Sequence, residues 1–229
     1  MRAGRHNDSG QAFPVYITVM AGLLLLAFAY FAVGQAAATR NGAQTAADAA
    51  ALAAAQDARD QLRDGWLGVI LDPAQWGDFL SGEEYDVDAA CGRAASFAAK
   101  NDAQLSGDAC VPLPFGEPGF RVEVRTLDSV GDSIIPGTEN QHATATATAV
   151  LEPRCTFEAP EPTQEPEPPD PDPDPDPDPD PDPDPDPEPT PTEPAPILGL
   201  SCDGVPWTID PDEPELPSAA DLFTVRLAD

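Results

Sequence analysis

The chain has 229 residues, enough for one or two small domains, with 41% hydrophobic residues and a formal net charge of −30. Fifteen of its 41 acidic residues fall between Glu158 and Glu193 with no basic residue among them, and lysine occurs once, at Lys100. Such a chain lacks the clustered Lys and Arg that neutralise phosphates, which excludes nucleic acid as a partner.

The first element is apolar. No charged residue occurs from Ser9 to Thr39, and within that window FPVYITVMAGLLLLAFAYFAV, residues 13–33, is long enough for a membrane-spanning helix at about 20 residues per bilayer. Pro14 falls in the first turn, where a missing N–H costs nothing. Arg2 and Arg5 precede the run, whereas the chain turns acidic soon after Arg40. This asymmetry predicts a cytoplasmic N-terminus, residues 1–12, and an exported remainder in a single-pass protein of the cell membrane. A cleaved signal peptide is the alternative. A basic start, an apolar core and the small residues QAAA, 35–38, satisfy its pattern, although the run exceeds the usual ~7 to 15 residues.

Residues 34–65 follow as an alanine-rich helical stalk. Alanine has the highest helix propensity, and small side chains let helix backbones approach closely. Ala46, Ala50, Ala53 and Ala54 with Leu52 form a candidate helix contact face, while Asp48, Asp57, Arg59, Asp60 and Arg63 keep the helix soluble. The plainer alternative is a stalk that carries no partner.

Taken together, DSGQAFPVYITVMAGLLLLAFAYFAVGQAAATRNGAQTAADAAALAAA, residues 8–55, resembles the N-terminal region of TadG-like proteins of the TadE/TadG group, associated with assembly of Flp-type (tight adherence) pili. The likeness rests on a short polar start with Gly10 and Gln11, one apolar helix, a basic-to-polar step and QTAADAAALAAA, and it covers about a fifth of the chain. It implies a membrane component of a pilus assembly or secretion system, with other envelope proteins as partners. Pilin-like members of the group are cut after a glycine and carry glutamate five residues into the mature chain. Here the fifth residue beyond Gly10 is Val15, which favours an uncleaved anchor over a processed pilin.

Residues 66–157 are expected to form an extracytoplasmic α+β domain, a small antiparallel sheet with helices on one face. In DPAQWGDFL, Asp72 is a plausible N-cap and Pro73 the first residue of a short helix. A second helix is predicted from near Asp88, with Ala90, Ala94, Phe97, Ala98 and Leu105 on one face, Cys91 beside them and Gly107 as its stop. Trp66, Trp76, Phe79 and Tyr85 are expected as core, with partner docking by the two tryptophans as the alternative. The period then changes to two. FRVEVRTL, residues 120–127, and HATATATAVL, residues 142–151, read as antiparallel strands joined through residues 131–140, and DLFTVRLAD at the C-terminus reads as a third.

Nine Asp-Pro repeats occupy residues 170–187, within an acidic, proline-rich linker or loop at 158–196. Proline fixes φ and removes the amide donor, and neighbouring carboxylates repel, so a disordered, extended segment of about 120 Å contour is expected. A spacer, a weak calcium-binding tract and a passive solvated loop are its three readings; alternating prolines oppose wrapping a calcium ion. The tail, residues 197–229, is too short for a core of its own and is expected to pack back on the domain.

Cys91, Cys110, Cys155 and Cys202 lie beyond the apolar run without a CxxC motif or a nearby histidine, so two disulfides are expected rather than zinc. Three pairings are possible; chain order favours Cys91 with Cys110 and Cys155 with Cys202. No catalytic, cofactor or metal residues are expected. His6 and His142 belong to no HExxH pattern, Ser133 and Ser201 to no GxSxG elbow, and Glu83 with Glu84 read as a solvated turn. The sequence therefore points to a membrane-anchored, non-catalytic TadE/TadG-like component. The alternative is a secreted binding or adhesin-like protein released by signal peptidase, with the Asp-Pro tract as spacer.

Overall fold

One helix, α1 (Ala12–Gly68), carries both the apolar run and the alanine stretch without a break. The computed structural model describes residues 12–129, 131, 140–159, 196–212 and 215–228. A 3-10 turn (Pro73–Gln75) runs into α2 (Trp76–Leu80), and α3 (Val87–Lys100) follows. Three strands come next, β1 (Ala103–Pro112), β2 (Gly119–Thr126) and β3 (Thr144–Pro153). Then come β4 (Cys155–Phe157), β5 (Ile197–Cys202), β6 (Val205–Ile209), α4 (Ala219–Leu222) and β7 (Phe223–Leu227). The class is α+β.

The strands form two antiparallel sheets, one in the order β1-β2-β3-β7 and a smaller one in the order β4-β5-β6. The strand alternation explains the larger sheet. Phe120, Val122 and Val124 of β2 and Ala147, Ala149 and Leu151 of β3 turn inward, while Arg121, Glu123, Arg125 and Thr146 turn outward. Helices α1 and α3 cover the inward face. In β3 it is the alanines that point inward, which leaves room for a helix backbone to lie close to the strand.

Helix α3 begins one residue earlier than expected and ends well before Gly107. The Asp86 carboxylate accepts hydrogen bonds from the Asp88 and Ala89 amides at 2.8 and 3.1 Å, an N-cap. At the other end the Asn101 side-chain amide donates to the Phe97 carbonyl at 2.9 Å, and Asp102 takes the left-handed conformation, φ 53°, that ends helices. Gly107, φ 60°, instead lies where the β1–β2 register shifts between Leu105 and Cys110, so Leu105 belongs to a strand. Asp72 precedes the 3-10 turn without a side-chain cap bond, and its carboxylate accepts from the Gln75 side chain at 2.6 Å.

The segment expected to be a free stalk has a different place. From Ala43 onward α1 is the central helix of the domain, with Ala43, Ala46, Ala47, Ala50, Ala51, Ala53, Ala54, Ala55, Ala58, Leu62 and Trp66 buried. The tail contributes to both sheets: β5 and β6 complete the smaller one with β4, and β7 extends the larger one beside β3. Arg154, between β3 and β4, ties these parts together. Its guanidinium donates to the Asp203 carboxylate and, at 2.8 Å, to the Ala220 carbonyl.

The structure pairs Cys91 with Cys110, joining α3 to β1, and Cys155 with Cys202, joining β4 to β5. With partners 19 and 47 positions apart in sequence, loop-closure entropy assigns the bridges about 3 and about 4 kcal/mol. The Asp-Pro repeats, and most of the connection at 131–140, lie outside the described residues. The flanks of the acidic tract are nevertheless placed, because β4 and β5 pair directly, Phe157 opposite Leu200.

Candidate functional site

Residues 13–33 of α1 expose large apolar side chains on every face, among them Phe13, Tyr16, Leu24, Leu25, Phe28, Tyr30 (84% exposed) and Val33. A helix that is apolar all round needs either protein or lipid around it. None of the described residues covers this one, and by length and composition it is able to cross a membrane. Arg2, Arg5, His6, Gly10 and Gln11 lie outside the described residues.

Ten residues beyond Val33 the same helix enters the core. Ala46, Ala50, Ala53 and Ala54 are buried and Leu52 is half-buried. The chain's own α3, β2 and β3 pack on α1, so the residues proposed as a partner-binding face are occupied within the domain. At the far end of α1, Trp66 and Trp76 are fully buried with ring centroids 5.3 Å apart, and Phe157 lies 4.7 Å from Trp76. The Trp76 indole donates to the Val69 carbonyl at 3.1 Å, whereas the buried Trp66 Nε1 has no partner among the described residues. Gly65 is where α1 meets α2, since a Cβ there would collide with the Phe79 ring. These aromatics are core, and none is presented to a partner.

The polar residues singled out earlier do not converge. His142 lies just before β3 rather than in it, with Nδ1 2.8 Å from the Thr126 carbonyl, Glu83 and Glu84 are exposed, Ser201 is on β5, and Ser133 lies outside the described residues. Burial raises the Tyr85 phenol above its ordinary value, partly offset by a hydrogen bond with the Gly119 backbone, and its ring lies 5.5 Å from Phe120. Asp221 is held below the usual carboxylate range chiefly by the Ser218 hydroxyl and amide, which donate to its Oδ2 at 2.7 and 2.8 Å in the capping box of α4. Both groups serve the fold. Sequence reasoning missed the junction at residues 35–43, where α1 passes from bare helix to core, because alanine is equally at home on an exposed helix and inside a tight one.

No curated protein and no solved structure matches the chain. Residues 10–57 match the family model described as "Putative Flp pilus-assembly TadE/G-like". That span begins just before α1 and ends inside its buried part, so the first 46 residues of the helix that joins the apolar run to the domain core, 12–57, are similar to the TadE/TadG-like family.

Proposed function

We propose that this protein is a single-pass, non-catalytic envelope component of a TadE/TadG-like pilus assembly or secretion system, anchored by residues 13–33 with its N-terminus in the cytoplasm and its domain outside. The observation that carries the proposal is the coincidence of the matched span, residues 10–57, with a helix that is bare and apolar in one part and domain core in the next. Two disulfides support the orientation, because such bridges persist on the oxidising side of a membrane. Arg2 and Arg5 before the apolar run support it through the positive-inside tendency.

In this arrangement the anchor and the domain are mechanically one piece. At about 1.5 Å rise per residue, α1's 57 residues span about 85 Å, of which about 32 Å crosses the bilayer. The acidic tract leaves and returns at the β4–β5 pair, near the Trp66 end of α1 and therefore away from the membrane. As a spacer it would present its own acidic surface rather than carry a second domain outward.

Deletion and complementation in the organism that makes the protein test the function. Loss of the chain is expected to leave pilin made but unassembled, or the substrate of the cognate secretion system retained. His142→Ala and the double variant Glu83→Gln/Glu84→Gln are expected to restore assembly fully. Normal assembly without the chain would overturn the proposed role, and failure of the folded variants to complement would overturn its non-catalytic part.

A further inference from the structure

Gly131, in the connection that follows β2, lies beside the part of α1 just beyond the apolar run. A Cβ built on Gly131 would lie 3.7 Å from Gln35 Nε2, and both Gln35 and Thr39, one turn apart on α1, are half-buried. The approach to this point is fixed by Thr126. Its hydroxyl donates to the Asp128 carbonyl at 2.8 Å and accepts from the Ala143 amide at 3.1 Å, its amide donates to the Ala143 carbonyl at 2.9 Å, and its carbonyl meets His142 Nδ1 at 2.8 Å.

Gln35 is only two residues past Val33, the last residue of the apolar run. At ~1.5 Å rise per residue it lies ~3 Å beyond that run, whereas the headgroup layer of a bilayer is about 5–7 Å deep on each side. A group packed beside Gln35 therefore lies at headgroup depth. The neighbouring residues suit that layer, with Leu127 half exposed as an apolar group next to the polar Asp128 and Ser129. We propose that the start of the β2–β3 connection, Leu127, Asp128, Ser129 and Gly131, sits in the phospholipid headgroup layer, so that the domain rests on the bilayer instead of standing off on a stalk. The occupant is the lipid surface that α1 itself enters. The proposal rests on residues 13–33 being a membrane span, and its test separates the two.

The test uses the full chain in phosphatidylcholine vesicles containing lipid with a nitroxide on the headgroup, and reads quenching of one added tryptophan at a time. Trp66 and Trp76 are buried and give a constant background with Trp207. Val33→Trp marks the end of the span, Ser129→Trp and Asn140→Trp mark the two sides of the connection, and Phe115→Trp marks the opposite end of the sheet. Phe115 is 91% exposed in the β1–β2 turn, beyond the eight residues of β2, which puts it about 26 Å from the connection. The added emission at positions 33, 129 and 140 is expected to be largely lost, with that at 115 retained. Quenching at 33 with none at 129 or 140 would overturn headgroup contact while leaving the span intact, as would exclusion of lipid by a protein partner seated there. Absence of quenching at 33 would overturn the span and the contact together.

Discussion

The two parts of α1 invert the usual relation between side-chain size and burial. Residues 13–33 hold Phe, Leu, Tyr and Val with none of the described residues packed over them, while residues 43–58 hold mostly alanine, nearly all of it buried. A large apolar side chain gains from leaving water, and under the proposed anchoring a bilayer is the medium that removes water from the first part. In the second part the alanines gain little individually, but their small size lets α3, β2 and β3 pack directly on the helix, and close-packed contact is summed over many atoms. Under the proposed anchoring one unbroken helix belongs to two solvents, and the junction between them is the few residues from Gln35 to Ala43.

A carboxylate placed in each part breaks this comparison most severely. Ala50→Asp puts an unpaired charge where the exposure is 0%, and should cost about 3–5 kcal/mol and unfold the domain or lower its Tm sharply in a detergent-solubilised thermal melt. Leu24→Asp should leave that melt unchanged. Its cost, about 2.5–3.5 kcal/mol, falls on membrane insertion and should appear as protein lost from the membrane fraction. If both variants were to lower the domain's Tm equally, the two parts of the helix would share one environment.

The far end of the buried part offers a smaller contrast between two indoles packed edge to face. Trp76→Phe removes a hydrogen bond to the Val69 carbonyl, whereas Trp66→Phe removes an N–H that has no partner among the described residues. Chemical denaturation should place Trp76→Phe about 1 kcal/mol below Trp66→Phe. Equal stabilities would mean that the Val69 bond contributes nothing net.

The smallest expected effect is at Asp221, in the capping box that sets α4 before β7. Its carboxyl titrates below the usual range because Ser218 donates to the ionised form, with Arg154 contributing. A depressed folded-state value stabilises the fold above the unfolded value, near pH 4, and that stabilisation is lost as pH falls through the folded value. Asp221→Asn should therefore be slightly less stable than wild type at neutral pH, and the gap should close in acid. A gap that widened in acid would reverse the sign.

Legibility from the sequence followed from how strongly each element constrains its side chains. Strands β2, β3 and β7 were readable because Phe120/Val122/Val124 and Phe223/Val225/Leu227 alternate cleanly. Strand β1, AQLSGDACVP, was not, since its bulge shifts the register and Gly107 mimics a helix stop. The smaller sheet was hidden by three short strands, one on the far side of the acidic tract from its partners. The membrane run was plain from length and charge, but the burial of Ala46, Ala50, Ala53 and Ala54 was not, because alanine's pattern is the same whether a helix faces water or a neighbouring backbone. Chain order favoured the cysteine pairing the structure contains, because each pair is joined within one local unit.

The central claim is that anchor and core are one uninterrupted helix in the mature protein. Among the described residues every buried one lies at Ala43 or beyond, so a chain cut after Ala38 would keep its core and lose only its anchor. Mass spectrometry of the mature N-terminus, on protein extracted from the cell envelope, tests the claim directly. Peptides containing residues 13–33 joined to Thr39 and beyond, with no processed start, are the predicted result. A start at Gln11 would mean pilin-type processing with the anchor kept, and a start at Thr39 would contradict the account, leaving a released domain whose helix never reaches the membrane.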